Sequence, residues 1–202
     1  MKSIKLFLTV FFLSVAILSC ENNPITVPVV STTYKDLPAD PGTGGRDQVG
    51  NLLGTKNKFT FFSFKKGQIV DNKDSATAIW DVGFKGTTII VNSGTFGPGK
   101  TQAQIVTGSF DNYPTAPDDG YTSDSFPLPD GTNKWYSYDN ATMVITPIAG
   151  RVIVVKTADS RFAKLEILSY YKGSPAKPDA MKDSDRYYTF RYVYQPNDTK
   201  RF

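Results

Sequence analysis

Short β-type runs separated by turn-forming residues fill the sequence after residue 57. In these runs apolar and polar residues alternate with period two, or β-branched and aromatic residues follow one another directly, as they do in β-strands. No stretch beyond residue 20 carries apolar residues at the 3.6-residue spacing of an amphipathic helix. The pattern predicts an all-β, mostly antiparallel domain of about nine strands, at residues 58–64, 80–85, 87–92, 102–108, 135–138, 143–148, 151–157, 163–171 and 187–195.

The last of these runs shows the clearest alternation. Aromatic side chains occupy every second position, so one face of the strand is expected to be buried, with Tyr188, Phe190, Tyr192 and Tyr194 pointing inward. Trp80 and Trp135 are each expected to anchor the core, with the indole N–H bonded to one partner.

The composition of the 202 residues excludes most familiar enzyme chemistries. Because the chain has no histidine and a single cysteine, it cannot hold a Ser-His-Asp or Cys-His nucleophile, a histidine zinc site or an intramolecular disulfide. The net charge is only +4 and the basic residues are dispersed, so the sequence gives no sign of a nucleic-acid partner. We therefore expect a protein that is not an enzyme.

The N-terminus has the features of an export signal. Lys2 and Lys5 precede an apolar run from Leu6 to Leu18, which is shorter than the ~20 residues of a membrane span. The run ends at Ser19-Cys20, which resembles the lipobox of bacterial lipoproteins. This resemblance implies that Cys20 is acylated, for example by palmitate, and becomes the mature N-terminus. The alternative is a free thiol at the end of a buried helix or of an ordinary cleaved signal.

Residues 20–57 are rich in proline and glycine, which favours an extended tether over a packed element. Within this segment, Ile25 to Tyr34 has enough β-branched residues to add an edge strand, where Pro28 is tolerated. The predicted organisation is therefore a signal peptide at 1–19, a lipid-anchored tether at 20–57 and the all-β domain at 58–202.

Four stretches together resemble the HmuY-like family of Bacteroidetes lipoproteins. They are residues 80–100 (WDVGFKGTTIIVNSGTFGPGK), 117–124 (PDDGYTSD), 134–173 (from KWYSYDNATMVITPIAG to YYKG) and 187–197 (YYTFRYVYQPN). The best-known members of that family are haem-binding hemophores with an all-β fold. The resemblance implies haem or porphyrin capture by a lipid-anchored protein of the outer membrane, on the cell surface rather than the periplasmic face, and delivery to a TonB-dependent outer-membrane receptor.

The family holds the haem iron with two axial side chains, either histidines or methionines. In this sequence Met143, at the end of the loop Asp139–Met143, is the only such residue at a matching place, and the earlier loop from Ser125 to Lys134 has neither. The other haem-binding candidates are Tyr121 and Tyr138, because a tyrosinate can ligate haem iron. Alternatively, Met143 begins the next strand and fills a gap in the core. Met181 matches no motif and is interpreted as an exposed loop residue.

Two functions of different classes follow from these observations. The first is a lipid-anchored haem-binding module of the hemophore type, favoured by Met143, the aromatic residues and the resemblance over most of the domain. The second is a surface interaction lipoprotein on the same scaffold that binds no haem and contacts a receptor, glycan or protein partner. The absence of histidine and the short loop before Trp135 favour the second.

Overall fold

The computed structural model describes residues 26–123 and 134–202, so Cys20 and most of the loop before Trp135 lie outside the described residues. Within this part the chain forms eleven strands and one short 3-10 helix, Asn72–Asp74. The strands are β1 Ser31–Pro38, β2 Thr60–Ser63, β3 Gln68–Val70, β4 Val82–Lys85, β5 Thr88–Val91, β6 Gln102–Thr107, β7 Tyr136–Asp139, β8 Val144–Pro147, β9 Arg151–Lys156, β10 Phe162–Tyr171 and β11 Asp185–Gln195. All nine predicted strands are confirmed; β1 overlaps the edge strand expected in the tether, and β3 is additional.

The strands form two facing sheets and a separate hairpin, and every strand pair is antiparallel. The larger sheet has the order β1-β11-β10-β9-β6, the smaller sheet has the order β3-β2-β4-β5, and the hairpin is β7-β8. The predicted all-β, antiparallel class is therefore confirmed. No helix among the described residues has the length and apolar character needed to cross a membrane.

Aromatic side chains from both sheets meet in the main core. Phe190 of β11 lies 5.3 Å from Phe62 and 5.6 Å from Phe84, ring centre to ring centre, so it contacts two strands of the smaller sheet. Tyr188 and Tyr192 are buried beside it, and Tyr194 is partly buried against the same cluster. The inward face predicted for this strand is confirmed.

The opposite face of β11 is covered as well, which the alternation did not predict. Val193, Thr189 and Gln195 are buried on that side. Residues 108–123 cross this face, and Phe110 and Ala116 join Val193 in a second apolar cluster. The amino group of Lys164 holds the covering segment by donating to the carbonyl oxygens of Phe110 (2.6 Å) and Tyr113 (2.8 Å). A strand with polar residues on one face is thus buried on both, because a loop supplies the missing apolar partners.

The two tryptophans are core anchors, as predicted. Both are fully buried. The indole N–H of Trp80 donates to the carbonyl oxygen of Ser75 at 2.9 Å, and that of Trp135 donates to the carbonyl oxygen of Thr87 at 3.0 Å. Each buried indole therefore has the single partner that it needs.

Strand β1 is the edge strand expected in the proline-rich segment, although it begins at Ser31 and ends at Pro38 rather than running from residue 25 to 34. It pairs with β11 and buries Leu37 in the main core. The register shifts between Tyr34 and Leu37, where Asp36 has a φ of 54°. Such a bulge twists an edge strand and discourages pairing with other chains.

A buried carboxylate, that of Asp81, connects the two sheets. It accepts hydrogen bonds from the backbone N–H of Phe64 (2.8 Å), after β2, and of Ala158 (3.1 Å), in the turn between β9 and β10. Burial raises the pKa of Asp81 to about 6, and the two N–H donors and Lys65 oppose that rise only in part. The folded state therefore retains a proton at pH values where the unfolded chain has already lost it.

This raised pKa gives Asp81 a defined effect on stability. Its contribution is present in full below the unfolded pKa of 3.8 and is lost as the pH rises through about 6. The loss amounts to about 3 kcal/mol of unfolding free energy. In Asp81→Asn we expect a much smaller fall in stability between pH 4 and pH 7, measured by urea unfolding. The control Asp119→Asn, at an exposed position, should lose as much stability over this pH range as the parent does. If the free energy of unfolding falls equally between pH 4 and pH 7 in all three proteins, the prediction is wrong.

Candidate functional site

A cavity of about 560 Å³ opens where β11 begins, at Asp185. Three segments that are distant in sequence line it: the loop 46–50, the β7-β8 hairpin and the loop 180–185. The side chains used below are Arg46, Val49, Tyr138, Met143, Ile145 and Met181. We call this space the methionine cavity, since both methionines after Met1 border it.

Met143 occupies the last position of the hairpin turn. The turn is fixed by the Asp139 carboxylate, which accepts the backbone N–H of Ala141 at 2.8 Å, and these local hydrogen bonds lower the pKa of Asp139. Met143 has a φ of 57°, a left-handed conformation that glycine and asparagine adopt more easily. Its side chain is 49% exposed, so it borders the cavity and does not fill a gap in the core.

The hairpin is attached to the larger sheet close to the cavity. The backbone N–H of Ile145 donates to the hydroxyl of Tyr171 at 3.0 Å, and burial raises the pKa of that hydroxyl. Tyr138, on β7, is half exposed and lines the methionine cavity with Met143. The structure therefore brings these two predicted site residues together.

Met181 is the residue that sequence reasoning passed over. It is 73% exposed in the loop between β10 and β11, as an exposed loop residue should be, yet it also lines the methionine cavity. Its backbone N–H donates to the Asp179 carboxylate at 2.9 Å, and Asp183 accepts the N–H of Asp179 at 2.8 Å. One signal was available: the chain has three methionines, and only two remain once Met1 is set aside.

An ion pair forms the polar wall of the cavity. Arg46 lies 2.6 Å from the Asp185 carboxylate and donates to the carbonyl oxygen of Gly50 at 2.9 Å. The Asp47 carboxylate accepts two backbone N–H groups of the same loop, which fixes the loop and leaves Val49 82% exposed. A second cavity, of about 440 Å³, lies beyond this wall and shares Arg46, Met181 and Asp185 with the first.

Tyr121 lies elsewhere. Its hydroxyl donates to the carbonyl oxygen of Pro117 at 3.1 Å, and its ring packs against the second apolar cluster, beside Phe110. Burial raises the pKa of Tyr121 to about 12, which disfavours the tyrosinate that would bind iron. The structure therefore separates Tyr121 from Met143 and Tyr138.

The functional groups around the methionine cavity are two thioether sulfurs, a phenol, a guanidinium group and the carboxylates of Asp47 and Asp185. Both carboxylates already have partners: Asp47 accepts backbone N–H groups, and Asp185 pairs with Arg46. Among residues 26–123 and 134–202, no group of three or more Cys, Asp or Glu side chains is arranged to hold a metal ion. Thioethers are soft ligands that suit haem iron, whereas carboxylate oxygens suit hard cations. The site is chemically suited to an iron porphyrin more than to a free divalent ion.

A family model described as HmuY protein matches residues 55–153. Residues 55–153 therefore belong to the HmuY family. The matched range includes Tyr138 and Met143, whereas Arg46 and Met181 lie outside it. HmuY-like proteins are a haem-binding family. In this chain, part of the methionine cavity is formed by segments on either side of the matched range.

Three solved structures that align with this chain come from Tannerella and Bacteroides species. The apo HmuY analogue of Tannerella forsythia aligns with 13% identity and a TM-score of 0.48, over 85% of this chain and 99% of that chain. A Bacteroides vulgatus protein classed as HmuY-like and haem-binding aligns with 14% identity and a TM-score of 0.47, over 86% and 97%. A Bacteroides fragilis protein classed as a lipoprotein aligns with 12% identity and a TM-score of 0.47, over 85% of this chain and 94% of that chain. No curated protein matches this HmuY-family sequence.

Proposed function

We propose that this HmuY-family protein is a lipid-anchored, hemophore-like protein that binds haem in the methionine cavity and passes it to a TonB-dependent outer-membrane receptor. The observation that carries the proposal is the convergence of Met143 and Met181 on one cavity, from loops that the sequence places far apart. It is supported by the strained turn position that presents Met143 to the cavity rather than to the core. The proposed role is binding and transfer, without catalysis.

The residues around the cavity fit a haem group. The volume of about 560 Å³ lies within the range of small-molecule sites. Met143 and Met181 would hold the iron, and Val49, Ile145 and Tyr138 would contact the porphyrin ring. Arg46 would attract the propionate carboxylates, because a guanidinium pairs well with carboxylates. Bound haem would supply a redox-active iron; the chain's residues hold and orient it.

The ligand set predicts a redox preference. A neutral, soft thioether stabilises Fe(II) relative to Fe(III), so haem should bind more tightly under reducing conditions. The test is an absorbance titration of the chain from residue 21 onward with haem, first oxidised and then reduced with dithionite. A shifted Soret band that strengthens on reduction is expected. No Soret shift in either state at micromolar protein would refute haem binding.

Cys20 is proposed as the lipid attachment site, on the basis of the sequence preceding it. Replacing Cys20 by alanine should release the protein from the membrane fraction, measured by fractionation and immunoblotting. Ser19→Ala is the matched control, because it keeps a small residue before the cysteine and should leave the protein membrane-bound. A Cys20→Ala protein that sediments with membranes as firmly as the parent would refute the anchor.

The second candidate is an interaction lipoprotein that binds no haem. The observation that favours it is the apolar rim of the methionine cavity, where Val49 and Met181 are largely exposed and suit contact with a protein partner. The haem titration separates the two candidates, because only the first requires an iron ligand.

A further inference from the structure

The N-terminal segment is fixed at one end of the larger sheet. Asn197, just beyond β11, accepts the backbone N–H of Val27 at 3.0 Å and donates its side-chain amide to the Val27 carbonyl oxygen at 2.9 Å. These two hydrogen bonds hold Val27 beside the end of β11, opposite to the end at which Asp185 borders the methionine cavity.

Only a short length of chain separates this point from the proposed lipid. Cys20 and Val27 are seven positions apart, and a fully extended chain spans at most ~3.6 Å per residue, or roughly 25 Å in all. A lipid on Cys20 would therefore keep this end of the protein near the bilayer surface.

The surface at this end suits a bilayer. We define the N-terminal pole as Val27, Pro28, Val30, Lys65, Arg161 and Tyr194, which line a shallow groove of about 480 Å³. Val30 is 63% exposed and Val27 about half exposed, so apolar side chains face the solvent. Exposed apolar side chains can enter the interfacial region of a membrane, and lysine and arginine stems can lie along that region while their charged ends reach the headgroups.

The charges of the pole are arranged around these apolar residues. Asp159, which lines the same groove, lies 3.3 Å from Lys65, and Arg161 pairs with Asp198, so both basic residues of the pole have an acidic partner. The exposed Lys66 adds positive charge next to Lys65, whereas the exposed Lys156 borders a groove that also contains Asp118 and Asp119. The pole therefore combines exposed valines with largely paired charges, so its contact with a bilayer would depend on the apolar side chains and on the lipid anchor more than on anionic headgroups.

The methionine cavity lies at the other end of β11. From Asp185 to Tyr194 the strand runs nine residues, which at ~3.3 Å per residue separates the two ends by roughly 30 Å. This is several Debye lengths at physiological ionic strength, so the cavity lies beyond the reach of the bilayer's surface charge.

We propose that the N-terminal pole is a membrane-docking surface, which holds the methionine cavity roughly 30 Å away from the protein's own bilayer, open to the aqueous side. This inference rests on the lipid anchor of the proposed function but not on haem binding. In this orientation a ligand enters and leaves from the side facing away from the membrane. A receptor in the same membrane would have to receive it through a part that extends above the bilayer.

The chain allows a direct test, because its only cysteine is blocked by the lipid. The lipidated protein is placed in phosphatidylcholine–phosphatidylglycerol vesicles that carry a headgroup spin label. A fluorophore is attached to Val30→Cys at the pole or to Ser137→Cys on the β7-β8 hairpin, both exposed positions. We expect the label at position 30 to be quenched several-fold more than the label at position 137. Equal quenching, or stronger quenching at position 137, would overturn the orientation.

A longer tether tests whether the pole itself binds the bilayer or is only held near it by the lipid anchor. Inserting about ten Gly/Ser residues after Asn23 lets the domain move away from the bilayer unless the pole itself binds it. Quenching at position 30 should persist in this variant; its loss would overturn the docking surface. A parent chain that fails to sediment with vesicles would overturn the anchor together with this proposal. A failed haem titration would refute only haem binding and leave the quenching pattern unchanged.

Discussion

Haem affinity is expected to fall at least tenfold when Met143 is replaced by alanine, and further when Met181 is replaced as well. Each change removes a thioether that lines the methionine cavity and would hold the iron. The loss should be greatest for reduced haem, because the thioether favours Fe(II). The measurement is an absorbance titration of parent, single and double variants in both oxidation states.

The turn conformation of Met143 provides a control for folding. Glycine adopts a φ of 57° without strain, so Met143→Gly should leave the free energy of unfolding unchanged or raise it by up to about 1 kcal/mol. Haem affinity should nevertheless fall as it does in Met143→Ala. A stable Met143→Gly protein that binds haem as tightly as the parent would exclude Met143 as the ligand, and Tyr138 would be tested next.

Replacing Phe190 by alanine should lower the free energy of unfolding by roughly 3–5 kcal/mol. Phe190 is fully buried between the two sheets and contacts Phe62 and Phe84 of the smaller sheet, so its removal leaves a cavity where the sheets meet. The size of the effect follows from the lost apolar burial and from the limited ability of facing aromatic rings to close the space. Denaturant unfolding followed by circular dichroism measures it.

Leu168→Ala on the neighbouring strand is the matched control. Leu168 is about half exposed on β10, so its truncation should cost less than about 1 kcal/mol. A Phe190→Ala protein that is destabilised no more than the Leu168→Ala protein would contradict the packing of β11 between the sheets.

The class of the fold was predictable because the strand pattern is local. The pattern that predicts a strand involves only residues one and two positions apart, and all nine predicted runs form strands. The inward face of β11 and the buried state of both tryptophans also followed from side-chain size and spacing. The same local information missed β3, because three residues, Gln68–Val70, are too few to display a period.

The sequence by itself determined the class, all the strands except β3, and Met143 as a candidate ligand. The tertiary structure decided which candidates share a site. Arg46, Met143 and Met181 meet because β1 pairs with β11 and the β7-β8 hairpin is attached to β10, contacts between segments far apart in the chain. Tyr121 was placed on the covered outer face by the same long-range packing. The pattern of neighbouring residues does not reveal which distant segments will meet, because that depends on how whole sheets and loops pack against one another.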